Sequence, residues 1–269
     1  MRRNIIILLV ITGLFIPPAW ADQTVLRVGT DQNFWYPFTY TDQGKASGIH
    51  IDIAAQALKN LGFRAEFIPL PWKRCLEQMR QGKLDAVVSA SYKPDRAPYL
   101  FYPADAASTD ESKWRITQVA YVVITGIDDP YEYTGDVQSL PLPVRAPLGY
   151  SIVDDLKAQG VTVLTAPDTQ LCMSQLIRSG RGTVITPPQN ADRFNTDGNF
   201  TGKIKIHSQP ISSKSYFMVF AKKNQKLDEN TITSIWTEIA RLRRDKSYMA
   251  ALFGRYAGNT GKEPVEIVK

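Results

Sequence analysis

Apolar and polar positions along this chain switch between short β-like runs and amphipathic stretches at helical spacing, with glycines at many of the junctions. Residues 25–30 read as a strand that runs into Asp31, and the aromatic loop Phe34-Trp35-Tyr36-Pro37-Phe38 follows. Gln43-Gly44 turns a small hairpin, and Gly48 precedes a helix over about 52–61, with Ile53, Ala57 and Leu61 on one face and Gly62 at its end. Residues 64–70 make the second strand. From Trp72 a helical run places Leu76, Met79 and Arg80 on one face, Gly82 closes it, and 84–89 read as a short buried strand.

Residues 97–115 dissolve into Pro, Asp, Ser and Thr and read as a surface loop. The pattern then resumes. Residues 119–125 form a strong strand, 141–146 another β run, and Gly149-Tyr150-Ser151 leads into a helix closed by Gly160. A strand at 161–165, a helix capped by Asp168 or Thr169 and running through 179, and a strand at 180–185 follow. Residues 215–222 are a second strong β run, and 228–256 read as helix with Ile232, Ile235, Trp236, Ile239 and Leu242 as its apolar stripe.

The order helix, glycine, Lys or Arg, short strand occurs twice, as QMRQGKLDAVV and QLIRSGRGTVI, which predicts two lobes of one design. Strands alternating with helices imply α/β lobes with mostly parallel sheets. The runs at 119–125 and 215–222 would carry the chain out of the first lobe and back, a two-strand hinge.

Compartment and charge narrow the function. Arg2 and Arg3, an apolar run over 5–15 and the frame Ala19-Trp20-Ala21 predict a signal peptide cut after Ala21, and hence an exported, periplasmic protein. The formal net charge is +6, or +4 without those 21 residues, which hold two arginines and no acid. The basic residues are scattered among acids, so a nucleic-acid partner is not expected. Cys75 and Cys172 are the only cysteines. They are read as two small buried apolar residues, with one disulfide across a cleft as the alternative. The chain contains two histidines and no G-x-S-x-G, H-E-x-x-H or phosphate-loop motif, so no catalytic residue, metal or cofactor is expected.

Candidate binding residues gather at strand ends. Trp72 at a strand-to-helix junction, the hydroxyls of Ser89 and Ser91, and the guanidinium of Arg96 offer a small anion an aromatic plate, donors and a planar fork. Asp31 follows the first strand, Trp35 is one of three adjacent aromatics that could face a cleft, Ser151 stands where serine caps a helix, and Thr186 ends a strand.

In combination, VLRVGTD, YPFTYTDQGKASGIHIDI, QGKLDAVVSAS with the PDR that follows, and the late YFMVFAKKN resemble the family 3 extracellular solute-binding proteins over nearly the whole mature chain. The resemblance implies a two-lobed, type II periplasmic-binding-protein fold, with a first lobe of 22–120 and 220–269 and a second of 121–219. It implies that Arg96 grips a ligand carboxylate, that Ser89 and Ser91 donate to it, and that Asp31 and Trp72 line the cleft. Gly149, Tyr150 and Ser151 match the family's helix-start turn, whose N–H groups can hold a carboxylate. A monomer that captures a small polar solute and delivers it to an ABC permease is expected. A sensor subunit for a membrane receptor, or a dehydratase on the same fold, are the alternatives. One departure stands out. Where the family's amino-acid receptors hold the ligand's ammonium with an acid after a second-lobe strand, residues 182–190 contain no carboxylate.

Overall fold

The computed structural model describes residues 24–257; the expected leader, 1–21, lies outside them. The first part of the chain forms β1 (Val25–Asp31), the hairpin β2 (Tyr40–Asp42) and β3 (Lys45–Ser47), α1 (Ile49–Asn60), β4 (Arg64–Leu70), α2 (Trp72–Gln81), β5 (Ala86–Ser91) and β6 (Leu100–Phe101). The middle forms β7 (Thr117–Gly126), β8 (Val144–Pro147), α3 (Ser151–Ala158), β9 (Val163–Ala166), α4 (Thr169–Ser179), β10 (Thr183–Thr186), α5 (Pro188–Thr196) and β11 (Ile204–Ile206). The chain then runs through β12 (Ser212–Ala221), α6 (Glu229–Arg244) and α7 (Lys246–Ala257).

The main sheet has the strand order β4-β1-β5-β12-β7-β10-β8-β9, with β6 on β12 and β11 on β7. Its two ends repeat one plan. β4, β1 and β5 are mutually parallel, as are β9, β8 and β10, and each trio is closed by one antiparallel strand, β12 in the first and β7 in the second. The two closing strands pair with each other only over Thr117–Tyr121 and Ser212–Tyr216. There the chain crosses between lobes twice, so the two-strand hinge read from the sequence is present.

In each trio the first strand is flanked by the second on one side and the third on the other. Such reversals of strand order open a crevice at the carboxyl ends of the strands. One crevice lies beyond Asp31 and Ser91, the other beyond Pro147 and Thr186.

Local sequence explains the elements. α2 and α4 both end on a glycine in the left-handed conformation, Gly82 and Gly180, and Asp168 caps α4 by accepting from the Leu171 N–H at 2.7 Å. Trp72, Cys75 and Met79 of α2 pack on Val87, Phe217 and Val219, while Cys172, Met173 and Leu176 of α4 pack on Ile124 and Val184.

Two expectations need correction. The stretch 97–115 is more than a surface loop: β6 pairs with β12, Leu100 and Ser112 are buried, and the Ser112 N–H donates to Ser215 Oγ at 2.8 Å. The helix expected over 228–256 is broken after Arg244, because the Asp245 carboxylate accepts from the Ser247 and Tyr248 N–H groups, both at 3.0 Å, and starts a new helix. No element was expected between the strand ending at 185 and the run at 215; α5 (Pro188–Thr196) lies there, with Pro188 at a first-turn position where its missing N–H costs nothing.

Both cysteines are free and fully buried, each in the core of its own lobe, so the alternative of a bridge across the cleft does not hold. Burial pushes the Cys172 thiol up to about 12 and the Cys75 thiol higher still. Thiol reagents should therefore leave the native protein unlabelled at pH 8 and modify two cysteines once it is denatured. A reductant should leave Tm unchanged; a lowered Tm would reveal a disulfide.

Candidate ligand-binding site

The two crevices face each other across a cleft of about 460 Å³ of empty space, part of it open to solvent. Its lining is Asp31, Trp35, Thr39, Trp72, Ser89, Ser91 and Arg96 from one side, Tyr150, Ser151, Pro187 and Asn190 from the other, and Tyr121 and Tyr216 from the crossing strands. Eight of the ten residues expected from sequence thus meet around one space, Ser151 among them. Gly149 and Thr186 stand behind it.

Arg96 decides the chemistry of the first-lobe side. The residue is 3% exposed, its guanidinium donates to the carbonyls of Ser91 (3.4 Å) and Gly149 (3.0 Å), and it lies 5.9 Å from the centre of the Trp72 ring. Among the described residues no carboxylate lies within ion-pair distance of it. A buried cation that donates to two carbonyls and has no carboxylate beside it is an incomplete arrangement that an anion would complete.

Ser89 and Ser91 reach the cleft because β5 carries a bulge. From Val87 to Ala90 the strand advances three residues while β12 advances two, from Val219 to Phe217, and Ser89 takes a φ of +69°. Only an extra residue in an unusual conformation re-aims a strand side chain in this way. For a serine it is a strained conformation of the kind found at binding sites.

Asp31, at the carboxyl end of β1, accepts from the Asn33 N–H at 3.1 Å and from the Tyr150 hydroxyl of the opposite lobe at 2.6 Å. Burial pushes its carboxyl up to about 6, and the Tyr150 hydrogen bond only partly offsets this. Of the three loop aromatics it is Trp35 that faces the cleft, with its indole N–H donating to Gln189 Oε1 at 3.3 Å. Phe34 is 40% exposed and carries the Arg193 guanidinium of α5 at 4.2 Å.

On the second side, Gly149 takes a φ of +83°, and a Cβ there would lie 3.5 Å from Trp72. Tyr150, not Ser151, is the cap residue of α3. Ser151 does not cap: it is the first helical residue, and its buried Oγ has no hydrogen-bond partner within 3.5 Å among the described residues. Thr186 approaches the cleft through Asn190, whose Nδ2 donates to Thr186 Oγ1 at 3.3 Å while its Oδ1 is buried and unpartnered among the described residues. Two polar side chains are thus left for a ligand on this side.

The lobes are tied together around the cleft by Tyr150 to Asp31, Arg96 to Gly149, Trp35 to Gln189, and the ion pair Lys93–Asp154. This is a closed conformation.

The model of the bacterial extracellular solute-binding proteins, family 3, matches residues 26–256. The chain belongs to that family. Its fold is that of the two-lobed, type II periplasmic binding proteins, and it is a ligand-binding protein. No curated protein matches it in sequence.

Among solved structures it is similar to a histidine kinase sensor domain with similarity to periplasmic binding proteins, at 17% identity and a TM-score of 0.71 over 88% of this chain and 98% of that one. It is similar to holo ArgBP from T. maritima, at 16% identity and a TM-score of 0.66, covering 84% and 93%. An ancestral amino acid-binding protein described as a precursor of cyclohexadienyl dehydratase gives 16% and 0.64, covering 86% and 95%. At these identities the likeness shows the fold.

Five lining residues of this family 3 protein escaped the sequence reading: Thr39, Tyr121, Pro187, Asn190 and Tyr216. Tyr121 and Tyr216 sit in the strong β runs, where an aromatic reads as core; their hydroxyls lie 2.7 Å apart. The signal for Asn190 was the Pro187-Pro188 pair, since proline is favoured in the first turn of a helix.

Proposed function

We propose that this protein captures a small polar solute bearing a carboxylate, closes its lobes over it and delivers it to an ABC permease from the periplasm. The observation that carries this reading is Arg96, a buried guanidinium without an acid partner, set where the crevices of both lobes meet. Its planar fork suits a carboxylate through two parallel bonds, with Ser89 and Ser91 beside it. The Gly149 to Ser151 turn and Asn190 add contacts available only when the lobes are together, and such differential contacts are what shift an open–closed balance. In the proposed division, 22–120 and 220–269 make the first lobe and 121–219 the second, with both boundaries inside the crossing strands β7 and β12. The mature chain begins at Asp22 and acts as a monomer.

The far end of the ligand differs from a standard α-amino acid. Asp31 is the sole acid of the lining and already holds Tyr150, and the second-lobe position after β10 offers the neutral amide of Asn190. A free ammonium would be poorly compensated there. A carboxylate with an uncharged polar group opposite fits better. The likeness to a histidine kinase sensor domain supports a second reading, in which a membrane receptor reads the same closed form.

A thermal-shift panel of amino acids, amides, hydroxy acids, dicarboxylates and aromatic acids tests the ligand class. A compound at 100 times its Kd stabilises by about 2.7 kcal/mol, a shift of several degrees for a chain of this size. Carboxylates lacking an α-ammonium should lead. If only carboxylate-free cations shift the melt, the reading is wrong. Deleting the gene should abolish uptake of the leading compound; unchanged uptake with a lost response to it would favour the sensor.

A further inference from the structure

His50 lies behind the cleft, in contact with the lining residues Trp35 and Ser89. Its backbone N–H is fixed by the Phe38 carbonyl at 3.0 Å, an approach that Gly48 permits, since a Cβ at that position would fall 2.3 Å from the same oxygen. The ring is 1% exposed, wedged between Trp35 and Phe38 at centroid distances of 5.3 and 5.0 Å, and its Nδ1 lies 2.8 Å from Ser89 Oγ. Its Nε2 is buried with no partner among the described residues. Turning the ring over would put a carbon against Ser89, so the orientation is fixed.

We propose that His50 is a positioning residue that donates its Nδ1–H to Ser89 Oγ, which leaves the Ser89 hydroxyl proton free to point into the cleft. That makes this end of the cleft selective for a ligand group that accepts hydrogen bonds, a carboxylate or carbonyl oxygen. It rests, for the ligand, on the reading of the Arg96 end as the anion subsite.

Three observations converge. Burial pushes the imidazole down to about 3, so at neutral pH it carries one N–H, on either nitrogen. With that proton on Nε2, a buried donor would be stranded among carbon atoms. With it on Nδ1, only an acceptor is stranded, and orphaned N–H groups are the rarer case in folded proteins. The strained bulge at Ser89 places its hydroxyl on the imidazole and in the cleft lining at once. A serine that gave its proton to His50 would show the cleft only lone pairs, beside a guanidinium that attracts anions. The Nδ1–H form removes that conflict.

The chain has only two histidines, which makes the tautomer directly readable. His207 is an internal reference in a different setting: its Nδ1 lies 3.2 Å from the Tyr133 N–H and 3.3 Å from a Glu132 carboxylate oxygen, and its Nε2 faces Thr125 Oγ1 at 3.1 Å. A long-range proton–nitrogen correlation spectrum of the 15N-labelled chain at pH 7 should show His50 protonated at Nδ1 and bare at Nε2, with the His207 signals as a second, independent set. Ser89→Ala removes the acceptor and should move the His50 proton toward Nε2 while leaving His207 alone. Sodium acetate, against sodium chloride at equal ionic strength, should perturb the His50 resonances and not those of His207. An Nε2–H tautomer at His50 in the wild-type chain overturns the proposal, as does a tautomer indifferent to Ser89→Ala. If the Nδ1–H form is found and acetate leaves it unmoved, the donor assignment stands and the anion reading of the cleft falls.

Discussion

Asp31→Asn should stabilise the protein above pH 6.5 by up to about 3 kcal/mol and have little effect near pH 3.5. The folded-state carboxyl lies at about 6, against an ordinary value of 3.8, because burial disfavours its charged form. A raised acid pKa means that the folded state binds the proton more tightly than the unfolded chain. Stability from this group is therefore greatest at low pH, where both states are protonated, and is lost as pH rises from about 4 through 6. Asparagine copies the neutral form and can still accept from Tyr150, so the difference between variant and wild type should grow across that window. At roughly 2–4 °C per kcal/mol for a chain of this size, the separation in Tm at pH 8 should reach several degrees. Equal melting curves for the two proteins from pH 4 to 8 would show that Asp31 is solvated and not held at a cost for the cleft.

Arg96→Met should separate binding from folding. Methionine fills much of the same volume without the charge, and Ser91 keeps one partner because the Tyr102 hydroxyl also donates to its carbonyl at 3.0 Å. The Gly149 carbonyl loses a donor, while the burial of an unpaired cation is relieved. These terms oppose each other, so the ligand-free melting temperature should change little. Carboxylate affinity should fall by roughly two to three orders of magnitude, since removing one member of a buried charged pair costs about 2–5 kcal/mol. A large loss of stability without ligand would make Arg96 a structural residue.

The order of elements was legible because each lobe writes the same short grammar into the chain. In both, an amphipathic helix ends on a left-handed glycine and a basic residue leads into a short buried strand, at Gly82 and again at Gly180. The first-lobe half of the site was legible for a related reason: Asp31, Ser89, Ser91 and Arg96 follow strands that apolar runs mark plainly, and strand ends are where such sheets bind ligands.

What stayed hidden depends on pairing and conformation. The bulge that turns Ser89 into the cleft arises from a one-residue mismatch with β12, more than a hundred residues away, and no glycine announces it. Asn190 was hidden because Pro187-Pro188 reads equally as a loop. Tyr121 and Tyr216 look like core until their hydroxyls are placed 2.7 Å apart at the hinge. His50 was set aside as one of two scattered histidines, and its meaning appears only with Ser89 at 2.8 Å.

The central claim is that a carboxylate completes the buried Arg96 site and holds the lobes closed. Calorimetric titration of the leading panel compound into wild type and Arg96→Met at pH 7 tests it most directly. One-to-one binding to wild type is expected, with an affinity weaker by roughly two to three orders of magnitude in the variant and both proteins equally folded. Equal affinities would contradict it.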